Sequence, residues 1–292
     1  MKTLNILGAG RLGQTLGRLW QQSTLLTLQA LANRTLASTE AAQQFIQAGQ
    51  CFTLDHIAQM PSADIWLLAC PDDQLKTYCE YLAAAHDLKD SIVLHCSGAL
   101  TAQEVLDSAQ QQGACIASIH PIKSFAQPAL AIQNFQGTYC GVEGDTLALQ
   151  VLIPLFEAVG AHCFTIKADA KTLYHAASVI ACNYLVALQE LALQTYAQAG
   201  VDRPQALAIL QPIVSTTVQS IFQLDTSLAL TGPIVRGDVQ TVAKQINRLK
   251  DWQPNYALLY QGLGQIALQL AQKQRTLEPS SIKILQQLLT NN

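Results

Sequence analysis

Over roughly the first 166 positions, short apolar runs alternate with stretches whose apolar residues recur every three or four positions. That alternation predicts βαβ units and a mainly parallel sheet. The runs at 4–7, 28–32, 65–69, 92–95 and 115–119 read as strands, with later ones at 137–142 and 162–166. Helical periodicity fills 38–48, 72–85, 102–112 and 146–158. Gly49 and Gly113 follow two of these segments as stops, because glycine accepts left-handed backbone angles. Beyond 166 no strand is predicted. A helical tract at 169–199 leads into AGVDRPQ, where Gly200 ends one helix and Pro204 can begin another. At ~1.5 Å per residue that tract is on the order of 45 Å long, enough for the spine of a second domain. Further helices are predicted at 204–222, 238–250, 255–272 and 279–289. The expected fold is α/β: a mainly parallel sheet domain over 1–166, then an all-α domain over 167–292.

Composition and charge narrow the class. Half of the 292 residues are hydrophobic and 13% are charged, an ordinary globular balance with material for two cores. The formal net charge is −3 and the lysines and arginines are scattered, so no basic footprint for nucleic acid is present. The start MKTLNILGAG lacks the sections of a signal peptide, and Asn, Gln, Glu or Gly break the later apolar stretches. A cytoplasmic protein with a small-molecule substrate, and with no membrane or nucleic-acid partner, is expected. The eight cysteines form no C-x-x-C pair and sit mostly in apolar surroundings. Reduced core thiols are therefore expected, with no disulfide framework and no metal site.

The chain's first chemistry lies in LNILGAGRLGQTLGRL. Gly8, Gly10 and Gly13 satisfy G-x-G-x-x-G between a predicted strand and a helix whose Leu12, Leu16, Leu19 and Trp20 share a face. In that context the glycines allow a tight turn, close approach of a pyrophosphate and close helix packing. The backbone N–H groups that open the helix, at Arg11, Leu12 and Gly13, would face the phosphates. About twenty residues on, where a carboxylate would hold the ribose of NAD, the chain offers Asn33, Arg34 and Thr35. A guanidinium there suits a 2'-phosphate, so NADP is the expected cofactor, with Arg11 also in reach of it.

Two further strand ends, ACPDDQ and HCSGAL, place Cys70, Pro71, Ser97 and Gly98 as candidates for contacting the nicotinamide end. SIHPIKSF ends another strand at His120, whose imidazole can exchange a proton during hydride transfer, and Lys123 could bind a carboxylate. In ADAKTLYHAASVIACNY, helical spacing sets Lys171, His175, Ser178 and Cys182 on one face with Asn183 at its margin. His120 and His175 are the acid–base candidates; Lys123, Lys171, Asn183 and Arg236 are the substrate-binding ones. Arg236 lies in LTGPIVRGDVQTV, where Asp238 is a predicted helix N-cap.

Taken together, GAGRLG, NRT, ACPDD, HCSGAL, HPIKSF, LYHAASVIACNY and LTGPIVRGD resemble a little-characterised bacterial family. Its members join a Rossmann-like NADP-binding domain to a helical C-terminal domain. More distantly the chain is similar to the 6-phosphogluconate dehydrogenase-like superfamily. The resemblance implies an NADP-dependent oxidoreductase that acts on a small carbonyl, hydroxyl or imine substrate in an interdomain cleft, and a homodimer formed through the helical domain. The competing expectation is a non-catalytic NADP(H)-binding sensor or regulatory protein, since a fold does not dictate function.

Overall fold

The computed structural model describes residues 1–275 and 277–290. They fall into two compact units, Met1–Asn183 and a second that begins at Tyr184.

The first unit is built on one eight-stranded sheet. In chain order it comprises β1 (Lys2–Leu7), α1 (Arg11–Ser23), β2 (Leu26–Asn33), α2 (Leu36–Ile46), β3 (Gln50–Thr53), β4 (Ile65–Leu68), α3 (Leu75–Ala85), β5 (Ile92–His95) and α4 (Ala102–Gln111). Then follow β6 (Cys115–Pro121), α5 (Pro128–Gln133), β7 (Tyr139–Gly144), α6 (Thr146–Glu157), β8 (His162–Thr165) and α7 (Lys171–Ser178). The strand order is β3-β2-β1-β4-β5-β6-β7-β8, parallel except where β6 meets β7. Its first six strands follow the 3-2-1-4-5-6 order of a dinucleotide-binding sheet, with the switch between β1 and β4.

Alternation within the strands explains why the sequence reads as continuous apolar runs. Ile65 and Leu67 of β4 pack on one face with Leu16, Trp20 and Ile46, while Trp66 and Leu68 pack on the other with Leu75, Leu82 and Leu106. A strand buried on both faces has no polar side to show. Trp20 closes the first face, its ring edge-on to Phe156 at 5.1 Å and its indole N–H donating to the Leu155 carbonyl at 3.0 Å.

The second unit is helical: α8 (Tyr184–Gln198), α9 (Arg203–Leu224), α10 (Thr226–Ala229), α11 (Val239–Trp252), α12 (Pro254–Lys273) and α13 (Pro279–Thr290). Its core is small, made by Ile234, Val242, Ile246, Leu268, Ala271, Leu285 and Leu289. Gly264 lets α12 approach α13 closely, since a Cβ there would lie 2.4 Å from a Leu289 methyl. Gln261 and Gln265 donate to the carbonyls of Leu288 and Leu289, supplying partners to a helix end that has none of its own. An apolar groove of ≈ 1110 Å³ opens between α8, α11 and α12, lined by Leu191, Tyr196, Trp252, Tyr256 and Leu263 among others.

Two expectations change here. The helical tract at 169–199 is interrupted by a π-turn, Val179–Asn183, between α7 and α8. Ala168–Gln198 and Arg203–Leu224 are also long and apolar enough to cross a membrane by length and composition, so the apolar stretches are not all broken short of that length. Amides and a lone glutamate interrupt these stretches without outweighing the Leu, Ile and Val around them.

Candidate functional site

The turn after β1 is shaped by its glycines. Gly8 has φ +85°, and a Cβ there would fall 2.6 Å from the Cys70 backbone nitrogen, so the residue after β1 lies directly against the end of β4. Only glycine takes that angle without strain at such close quarters. Gly13 packs helix on strand: a Cβ would meet the Gly8 carbonyl at 3.1 Å and Ala69 at 3.2 Å. Gly10 is the N-cap of α1, with no side chain to cap the helix and nothing within 4 Å of where its Cβ would be. The amides of Arg11, Leu12 and Gly13 therefore open α1 without helical acceptors, beside empty space. This cradle fits a pyrophosphate.

Around it the sequence-predicted contacts divide. Arg34 is exposed at the carboxyl end of β2, and no ion pair engages it among the described residues. Asn33 and Thr35 are occupied locally. The Asn33 side-chain amide donates to the Ser38 carbonyl at 3.0 Å, and the Thr35 hydroxyl accepts from the Ser38 amide at 3.3 Å as the N-cap of α2. Both hold the loop that presents Arg34. Pro71 is exposed beside half-buried Cys70, whose thiol is pushed up to about 12 by burial, with Asp72 and Asp73 adding to the rise. That thiol stays protonated at neutral pH. Ser97 donates to Asp72 at 2.7 Å and accepts from the Ala99 and Leu100 amides, so its hydroxyl shapes the turn after β5.

Gly98, in the same turn, meets both acid–base candidates. A Cβ at Gly98 would lie 2.4 Å from His175 Nδ1 and 2.8 Å from His120 Nε2. The two imidazoles stand 5.6 Å apart, and the Tyr174 hydroxyl lies 2.9 Å from His120 Nδ1. Thus β5, β6 and α7 bring Gly98, His120, Tyr174 and His175 together. Burial, then the His175 and Lys171 charges, hold His120 down at about 4, so it is a neutral imidazole at pH 7. The buried His175 Nδ1 has no hydrogen-bond partner among the described residues.

Beneath this group runs a polar row that crosses three strands. Register pairs His95 of β5 with Ser118 of β6, and Ser118 with Glu143 of β7. Lys171 of α7 reaches the row, donating to Ser118 Oγ and to Glu143 Oε1, the latter at 2.9 Å. Glu143 also accepts from the Ala102 amide at 2.8 Å, at the start of α4. His95 is fully buried and held down to about 3 by burial and by the Lys171 charge.

These observations correct part of the sequence reading. Lys171, expected to bind substrate, is 0% exposed and bonded to Glu143, because α7 turns it into the sheet. Lys123, expected to bind a carboxylate, donates to the Asn134 carbonyl at 2.8 Å and ties down its own loop. The face shared by Lys171, His175, Ser178 and Cys182 stops after Ser178, since the π-turn inserts a residue and leaves Cys182 and Asn183 exposed. Arg236 is exposed in the second unit, just before Asp238, which caps α11 by accepting from the Thr241 amide at 3.0 Å. Tyr174, His95, Ser118 and Glu143 were not among the predicted site residues. Glu143 carried a signal: a carboxylate between Val142 and Gly144, where a strand was ending.

Comparison with known proteins agrees with the fold. Residues 2–121 match a Rossmann-like domain, and residues 138–267 match a domain of unknown function, DUF2520. No curated protein matches the chain. Among solved structures, the chain is similar to the protein TM1727 from Thermotoga maritima, at 25% identity and TM-score 0.72 over 93% of this chain and 99% of that one. It is similar in fold to BF3122 from Bacteroides fragilis, a candidate NADP oxidoreductase, at 16% identity and TM-score 0.73 over 92% and 98%. The reductive aminase from Aspergillus terreus, solved with NADPH, shares the fold at 15% identity and TM-score 0.61 over 99% and 92%. The chain belongs to the Rossmann-like proteins that carry a DUF2520 domain.

Proposed function

We propose that the chain is an NADP-dependent oxidoreductase that transfers a hydride to or from a small carbonyl, hydroxyl or imine substrate. The observation that carries this reading is the cradle after β1, where Gly8 closes on β4 and the uncapped start of α1 faces open space. The backbone of Gly8, Gly10, Arg11, Leu12 and Gly13 would hold the pyrophosphate, and exposed Arg34 the 2'-phosphate. The fold shared with BF3122 and with the reductive aminase supports the same reading.

When bound, the nicotinamide would supply or accept the hydride. The rest falls to side chains: neutral His120 exchanges the proton with the substrate oxygen or nitrogen, His175 stands beside it, and Gly98 leaves both rings their places. Lys171 acts from below, through its charge. We place the protein in the cytoplasm as a homodimer joined through the helical unit. The apolar exposure of α8 and α9 supports a covered face there.

The test is a thermal-shift titration with NADPH, NADP, NADH and NAD, on the protein and on Arg34→Ala. A ligand at one hundred times its Kd adds about 2.7 kcal/mol of apparent stability. NADPH and NADP are expected to raise Tm, NADH and NAD much less, with the difference lost in Arg34→Ala. If no nucleotide moves the transition, the reading fails. Binding with no turnover of oxo acids, imines or hydroxy acids would leave a sensor instead.

A further inference from the structure

We propose that Tyr174 is a positioning residue that holds His120 in the tautomer protonated on Nε2, so that this imidazole presents an N–H donor beside Gly98 and His175. The significance of that donor rests on the oxidoreductase reading above; the tautomer does not.

The argument begins with the phenol. A hydroxyl 2.9 Å from an imidazole nitrogen can donate or accept, and its other neighbours decide which. Tyr174 Oη lies against Gly141 so closely that a Cβ there would come within 2.7 Å of it. The Gly141 backbone hydrogen-bonds to that oxygen, partly offsetting the rise that burial imposes on the phenol. One side of the oxygen is thus taken by a donor. Among the described residues, the acceptor within reach of the O–H is His120 Nδ1.

A half-buried hydroxyl keeps its hydrogen bonded, so the proton goes to Nδ1. An imidazole that accepts at Nδ1 and is neutral carries its hydrogen on Nε2. Register reinforces the arrangement, because His120 and Gly141 are direct partners across β6 and β7. The two groups that fix the phenol are held side by side by the sheet, and the Tyr174 ring stands edge-on to the imidazole at 5.6 Å and 89°.

An Nε2–H donor suits an oxygen or imine nitrogen that gains electron density, which is the reducing direction. Its proton is in place before a substrate arrives.

The experiment is a long-range proton–nitrogen correlation spectrum of the full chain labelled with ¹⁵N-histidine, near neutral pH. The chain has six histidines, and His120→Asn assigns the signals. The expected spectrum has His120 neutral, with Nε2 protonated and Nδ1 bare. In Tyr174→Phe the ratio of the two tautomers should fall about fivefold or more, toward a mixture. An Nδ1–H form in the unaltered protein overturns the proposal, as does an unchanged Nε2–H form in Tyr174→Phe. The spectrum needs neither nucleotide nor substrate, so this failure and a failure to bind NADP are separate results.

Discussion

The two compact units use their apolar residues differently. In the first, both faces of the sheet are covered by the unit's own helices, and even Trp66 in the middle of β4 is 1% exposed. In the second, the core is a handful of side chains from α11, α12, α13 and the turn before them, while Val186 on α8 is 71% exposed and Phe222 on α9 is 85%. The first unit satisfies its hydrophobic pattern internally; the second carries more apolar surface than its own core uses. Apolar periodicity therefore reports burial without saying whose atoms do the burying.

The comparison can be broken most sharply at Lys171. Lys171→Met strands Glu143 in the interior of the first unit and should cost about 3–5 kcal/mol in urea unfolding. The double variant Lys171→Met with Glu143→Gln removes both charges and should recover much of that loss. A single variant as stable as the double one would mean that Glu143 reaches water.

Acid tests the same interior more gently. His95 and His120 have folded pKa values of about 3 and about 4, below an unfolded value of about 6.5. Their contribution is complete above the unfolded value and is lost as pH falls through the window from there to the folded values, because the unfolded chain takes up protons that the folded one refuses. Near pH 5 the two together should tilt stability by about 2.7 kcal/mol per pH unit. Replacing His120 with Asn should remove about half of that slope.

The smallest effect is expected on α9. Phe222→Ser should change the stability of the dilute chain by less than about 0.5 kcal/mol, since the ring touches little of its own unit. The same change should weaken self-association in light scattering if this face meets a second copy. A large loss of stability at low concentration would instead show that α9 is packed within its own unit.

What the sequence revealed follows the range of each interaction. The cradle was legible because its parts are contiguous: strand, glycines and helix lie within twenty residues. β3 was missed because Gln50–Thr53 is a short edge strand with no fully buried residue, and α5 and α10 are too short to show a period. The polar row was missed for another reason. His95, Ser118 and Glu143 meet only through strand register, which no local pattern encodes. Lys171 was placed on the correct helix, yet its direction depends on a carboxylate at a distant position, and a lysine is ordinarily read as solvated.

That row has a bearing on how the sheet finds its alignment. A slip of β7 against β6 by two residues would return every apolar side chain to its proper face, so greasy alternation does not forbid it. It would, however, set Glu143 opposite His120 or Ile116 in place of Ser118, and carry it away from the Lys171 ammonium. The stranded charges would then raise the energy of the misaligned sheet. The buried lysine thus works as a key cut for a single position of the lock: it checks, strand against strand, an alignment to which the oily residues are blind.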